Sequence, residues 1–255
     1  MIDKKNNFYK NLHNKGLIHF KNIFKVNKKK FHYGWGSYLF YGKVYKYEEG
    51  MYEKQKLLFD LSKKSKKILE IGVYMGHSIL IMLLANPKAH ITAIDISDTY
   101  SKPSIEYLKK KFPKSKINLI IGDSRNEIKN LKESFDLIHL DSSHSLRKSL
   151  QEFNLLIKLK KKKFFKILFD DIDSIVPMKK NILRSFNIKQ TISCNCNNKN
   201  FFVNIVVNKN KFNKNIFFFD ILNLKIYFFY FPIKYLLKIL RLNKIQELID
   251  DYVYK

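Results

Sequence analysis

Short apolar runs alternate with longer amphipathic ones through the middle of the chain, and that alternation predicts its elements. The segments 67–72, 90–96, 117–123, 135–141 and 164–170 are nearly unbroken apolar runs, such as Ile117-Asn-Leu-Ile-Ile121 and Asp136-Leu-Ile-His-Leu140. Runs of that kind suit strands covered on both faces. Segments near 77–86, 103–112, 125–132, 145–159 and 175–186 read as helices, and another from Glu48 to Leu61 leads into the first strand. Strictly alternating strands and helices imply a parallel, doubly wound α/β sheet. After residue 186 the pattern changes. Ile188–Ser193 and Phe201–Val207 are strand-like, and the polar, Asn-rich connector 194–200 between them reads as a hairpin. The expected sheet therefore has seven strands, five parallel plus an antiparallel hairpin, with helices on both faces.

Three regions follow from this reading: a basic, aromatic extension (1–50), the α/β domain (51–208) and an apolar, basic helical tail (209–255). In the extension, His32-Tyr-Gly-Trp-Gly-Ser-Tyr38 reads as a loop, and the whole stretch as a lid or substrate-side addition, or else a basic arm. In the tail, Ile216–Leu240 is densely apolar, but Asp220, Lys225, Pro232, Lys234 and Lys238 interrupt it. A membrane span needs ~20 predominantly apolar residues with few charges. A packed or dimer-forming helix, or one lying in a membrane interface, fits this run better.

The formal net charge of +27 suggests an anionic partner, but its make-up weakens a nucleic-acid reading. Only four of the 49 basic residues are arginine (Arg125, Arg147, Arg184, Arg241). Bidentate recognition of phosphates and bases favours arginine. The abundance of Lys, Asn, Ile and Phe is what AT-rich coding imposes. Two cysteines, Cys194 and Cys196, give no disulfide framework and point to a reducing compartment, with cytoplasm as the expectation. Zinc would need four ligands, and no second Cys/His pair lies near them. The N-terminus has no apolar run behind its lysines, so it does not read as a secretory signal.

The most informative stretch is Lys67-Lys-Ile-Leu-Glu-Ile-Gly-Val-Tyr-Met-Gly-His-Ser78. It reads as strand, glycine turn and helix, an arrangement that lets a ligand approach backbone closely. Three later apolar runs also end in an acidic residue: Asp95, Asp123 and Asp141. In an open α/β sheet, ligands bind beyond the carboxyl ends of the strands, so four carboxylates, Glu70 included, converge on one crevice.

Glu70-Ile-Gly-Val-Tyr-Met-Gly76, Asp95, Gly122-Asp-Ser124 and Phe135-Asp-Leu-Ile-His-Leu-Asp141, in that order, resemble the class I S-adenosylmethionine-dependent methyltransferases. Leu140-Asp-Ser-Ser-His-Ser145 with Leu168-Phe-Asp-Asp-Ile172 resembles, more narrowly, the small-molecule and sugar O-methyltransferases related to the catechol and caffeoyl-CoA enzymes. The resemblance covers residues 50–208 and implies a Rossmann-like fold. It also implies that Glu70, Gly72, Tyr74, Gly76 and Ser78 surround the methionine end of the cofactor. Asp95 would accept both ribose hydroxyls, and Asp123 with Ser124 would contact the adenine. Helix capping is the structural alternative for Asp95 and Asp123.

Asp141, Asp170 and Asp171 form a second constellation. Adjacent carboxylates at a buried strand end repel each other unless a cation or proton is present. The three make an all-oxygen set suited to Mg²⁺, Mn²⁺ or Ca²⁺. In metal-dependent relatives such an ion binds the acceptor oxygens and lowers the pKa of the attacking hydroxyl. Those relatives often carry Asn where this chain has Asp171. His144, just past Asp141, is placed either to act as general base on the acceptor or to make a local hydrogen bond at a helix start. His139, inside a strand, reads as core packing, and His77 as lining the cofactor pocket. The implied reaction is O-methylation of a small molecule or glycan. An RNA methyltransferase, and a non-catalytic domain tethered to a membrane or partner by its tail, are the alternatives carried.

Overall fold

The computed structural model describes residues 15–27, 40–41, 44–45, 49–142, 146–159, 164–170, 187–193, 201–208 and 231–240. Helix α1 (Leu17–Val26) is followed by a two-stranded antiparallel ribbon, β1 (Phe40–Tyr41) and β2 (Val44–Tyr45). The alternating core comprises α2 (Glu49–Lys63), β3 (Lys67–Ile71), α3 (His77–Ala85), β4 (His90–Asp95), α4 (Asp98–Lys111), β5 (Lys116–Ile121), α5 (Ser124–Asn130), β6 (Leu137–Leu140), α6 (Leu146–Lys158) and β7 (Phe164–Phe169). Strands β8 (Asn187–Ser193) and β9 (Phe201–Asn208) and helix α7 (Phe231–Ile239) complete the described elements.

The main sheet runs β5-β4-β3-β6-β7-β9-β8. Strands β3 to β7 pair in parallel, the Rossmann-like part of the sheet. Strand β9 pairs antiparallel with both β7 and β8. The connector 194–200, with Cys194 and Cys196, lies outside the described residues, as does the expected helix 175–186. Chain order reverses direction across the sheet between β3 and β6. That is the topological switch point, where an open α/β sheet leaves a crevice for a ligand.

The register at the switch point is tied from below. The Asp136 carboxylate accepts the backbone N–H groups of Lys66 and Lys67 at 2.8 and 2.9 Å, locking the start of β3 to the strand beside it. Residues Ile68 to Ile71 are all buried, as a central strand requires. Helix α3 is buried from His77 through Leu83. It is covered in part by α1, whose Phe20 and Ile23 belong to the same core cluster. Part of the stretch read as an extension therefore packs on the domain. Asn27 donates to the Ser104 hydroxyl at 2.8 Å, and His19 meets the Tyr107 hydroxyl at 2.8 Å, joining α1 to α4.

Helix α4 begins at Asp98 rather than near Pro103. Ser97 caps it, accepting from the Thr99 N–H at 3.2 Å. A proline at 103 suggests a helix start, but an N-cap serine upstream supplies an earlier one. Helix α7 carries Pro232 in its first turn and leaves Tyr235, Leu236 and Ile239 exposed. Among the described residues, no helix is long and apolar enough to cross a membrane.

Candidate active site

The turn between β3 and α3 sits at the switch point and has an unusual backbone. Gly72, Tyr74 and Gly76 have φ of 88°, 46° and 71°. At Gly72 a side chain is impossible for two reasons. The conformation is left-handed, and a Cβ would fall 1.9 Å from the Asp141 carbonyl oxygen. The ends of β3 and β6 can approach this closely only at a glycine. At Gly76 a Cβ would meet ordinary contacts at 3.5 Å or beyond, so the backbone angle alone favours glycine. Tyr74 adopts the left-handed region without that freedom, a strain of about 1 kcal/mol.

Asp95 holds this turn in place. Its Oδ2 accepts the N–H groups of Val73 and Tyr74 at 2.8 and 2.7 Å, and its Oδ1 accepts that of Ser97 at 2.9 Å. A carboxylate offers about four lone-pair sites. Three are occupied by the protein's own N–H groups, which leaves one for a ligand. The rings of Tyr74 and Tyr100 lie beside each other, centroids 5.0 Å apart.

Beneath the turn, Glu70 is fully buried. Its Oε1 accepts from the Ser78 hydroxyl and its Oε2 meets His139 Nδ1 at 2.9 Å. Ser78 is thus a brace for the turn. His139, read from sequence as core packing, is a polar partner of Glu70, and its buried Nε2 makes no hydrogen bond among the described residues. His77 packs edge-on against Phe20 at 4.9 Å, on the α1 side of α3.

At the end of β5, Asp123 caps α5 through the Arg125 N–H at 2.9 Å and grips the Arg125 guanidinium with both oxygens. The Arg125 hydrogen bonds pull its pKa down to about 2. Capping, the alternative considered for Asp123, is what the geometry contains. The Ser124 hydroxyl donates to Glu152 Oε1, and the Ser142 hydroxyl to Glu152 Oε2 at 2.5 Å. Burial pushes the Glu152 carboxyl up, against the pull of the two serines. No sequence signal marked Glu152, which lies in an ordinary amphipathic helix. It joins the ends of β5 and β6 across the crevice.

The ends of β6 and β7 bring Asp141 and Asp170 together. Oxygens of both and a ring nitrogen of His139 lie within 4.8 Å of one another. A cation is already among them. Lys54, from α2, sets its Nζ against the Asp170 carboxylate and 3.8 Å from Asp141 Oδ2. The Lys54 and Asp170 side chains are 5% and 1% exposed, whereas that of Asp141 is 26% exposed and faces the crevice. Repulsion among Asp141, Asp170 and Asp171 predicts Mg²⁺, Mn²⁺ or Ca²⁺, but Asp141 and Asp170 already hold the Lys54 ammonium between them, where a divalent ion would sit. Sequence spacing missed Lys54 because it comes from a helix that precedes the whole sheet. His144 and Asp171 lie outside the described residues.

Comparison with known proteins agrees with this architecture. An Arabidopsis thaliana protein with the provisional name caffeoyl-CoA O-methyltransferase is 36% identical over 85 residues, covering 32% of this chain. The match spans 37% of that relative's length. Among solved structures, an O-methyltransferase from Bacillus cereus in complex with S-adenosylhomocysteine superposes with a TM-score of 0.53 at 16% identity, covering 74% of this chain and 90% of its own. The S-adenosylhomocysteine-bound methyltransferase of Podospora anserina gives a TM-score of 0.53 at 16% identity, covering 72% and 86%. A sequence profile of the O-methyltransferase family matches residues 35–172, more than half of the chain. The chain belongs to the O-methyltransferase family.

Proposed function

We propose that this chain is an S-adenosylmethionine-dependent O-methyltransferase acting on a hydroxyl of a small molecule or glycan. The observation that carries the reading is the turn at Gly72–Gly76. It lies at the switch point, excludes a side chain at Gly72 and is fastened by Asp95. Gly72 lets the ends of β3 and β6 close together at the switch point, and the left-handed turn that follows presents backbone rather than side chains to the crevice, which suits a ligand bound against backbone. When bound, S-adenosylmethionine supplies an electrophilic methyl group on a sulfonium centre.

The chain's own residues then divide the work. Gly72, Tyr74 and Gly76 shape the wall for the amino-acid end, and Glu70 fixes that wall through Ser78. Asp95 accepts one ribose hydroxyl with its remaining lone pair. Asp123 and Ser124 flank the adenine edge, their side chains held by Arg125 and Glu152. Asp141, at the mouth of the crevice, orients the acceptor hydroxyl, and His144 takes its proton as the new O–C bond forms. Imidazole suits that role because it ordinarily titrates near neutrality. Placing the acceptor oxygen in line with the methyl group is itself a large part of the rate.

Calorimetric titration with S-adenosylhomocysteine tests this reading. Wild type should bind one equivalent in the micromolar range, and Asp95→Ala should weaken binding at least tenfold. No binding by folded wild type would overturn the reading.

A further inference from the structure

We infer that the Lys54 ammonium takes the place of a divalent cation between Asp141 and Asp170, so that methyl transfer here runs without a bound metal ion. The inference rests on the methyltransferase reading for its consequence, but not for its geometry.

Lysine is almost never fully buried unless paired. Lys54 is 4% exposed, on a helix whose Leu57, Leu58 and Leu61 are buried at the spacings that share one helical face. It therefore occupies a core-facing position rather than reaching in from solvent. Its partner Asp170 is equally enclosed, at 3%. A carboxylate in such surroundings needs a cation or a proton. The chain provides the cation from within, and Nζ also lies 3.8 Å from Asp141 Oδ2, where a shared ion would bridge the two carboxylates.

The surrounding donors are those of a cation site. His139 Nε2 is buried without a hydrogen bond among the described residues, and His139 belongs by a ring nitrogen to the same 4.8 Å group as Asp141 and Asp170. Its other nitrogen is oriented by Glu70 at 2.9 Å, the carboxylate–histidine arrangement that fixes ligand histidines. Removing the ammonium would leave one nitrogen and two carboxylates around an empty centre, a donor set suited to Mn²⁺. With the ammonium in place, the site offers an acceptor oxygen a single positive charge and N–H donors, not a Lewis acid. Deprotonation of the acceptor then falls to a protein base.

Mn²⁺ alone, followed by its paramagnetic resonance signal, is titrated into the full-length wild type, Lys54→Met and Lys54→Met/Asp170→Asn. Wild type should bind no stoichiometric Mn²⁺ in the micromolar range. Lys54→Met should bind one equivalent at least tenfold more tightly, and the added Asp170→Asn should abolish that gain. Tight binding by wild type, or no gain in Lys54→Met, overturns the inference. Should Lys54→Met not fold, Lys54→Gln carries the same comparison. Calorimetry with S-adenosylhomocysteine in EDTA accompanies each protein. Loss of that binding in wild type would defeat the methyltransferase reading while leaving the Mn²⁺ result intact.

Discussion

At the ends of β3 and β4, Glu70 and Asp95 are met by hydroxyl, imidazole and backbone N–H donors. At the ends of β6 and β7, Asp141 and Asp170 are met by an ammonium. The first half of the crevice meets its acidic side chains with hydrogen-bond donors, an acidic wall that suits a sulfonium ligand. The second half places one ammonium of the chain itself between its two carboxylates. The difference is energetic as well as chemical. Neutral donors cost little to arrange and each bond contributes about 1 kcal/mol. A buried ion pair contributes little net stability, yet losing one partner is expensive.

The largest predicted effect comes from breaking that pair. Asp170→Asn leaves the buried Lys54 charge with only the more distant Asp141 carboxylate, 3.8 Å away, and should cost about 3 kcal/mol in urea unfolding. Adding Lys54→Met to Asp170→Asn should recover most of the loss, because no charge is then left buried. Failure to recover would mean that Asp170 matters for something other than Lys54. Next is Gly72→Ala, which forces a Cβ into the Asp141 backbone. Local rearrangement should cost about 2 kcal/mol or more and abolish measurable S-adenosylhomocysteine binding. Asp95→Asn is milder: its amide can still accept, but an NH₂ replaces one carboxylate oxygen. Cofactor binding should weaken about tenfold, and stability should fall by about 1 kcal/mol because the new NH₂ faces a backbone N–H that a carboxylate oxygen had accepted.

Two pH experiments sharpen the comparison further. Glu152 has its pKa raised by burial, so the folded state holds its proton more tightly than the unfolded state. Its effect on stability is therefore favourable at acid pH and is lost as pH rises from the ordinary glutamate value through the raised one. Glu152→Gln should flatten that part of a stability-versus-pH curve. Asp123 behaves oppositely. Its pKa is lowered from 3.8 to about 2, so its contribution is present above 3.8 and disappears as pH falls towards 2. Asp123→Asn should remove only that acid-side slope, the smallest effect of the set because the pair is partly exposed.

The two halves also differ in how far sequence alone reveals them. Strand positions and the glycine turn were legible because apolar runs and Gly72 reflect local constraints. The Asp95, Asp123 and Asp141 strand ends followed from the same runs. Roles were harder to read. Asp123 serves as a helix cap, Ser78 as a brace, and His139 as a partner of Glu70, because those contacts depend on how neighbouring strands stack. Lys54 was illegible for a plainer reason. Among 49 basic residues, nothing local sets one lysine apart. Only the packing of α2 beside α3 turns it inward.

The most direct test of the account is hydrogen–deuterium exchange of the wild-type protein with and without saturating S-adenosylhomocysteine. The account predicts slowed exchange concentrated at residues 72–78 and 95–97, with weaker slowing at 122–125. Saturable binding that leaves 72–78 unchanged would contradict it, because the cofactor would then lie somewhere other than the turn at the switch point.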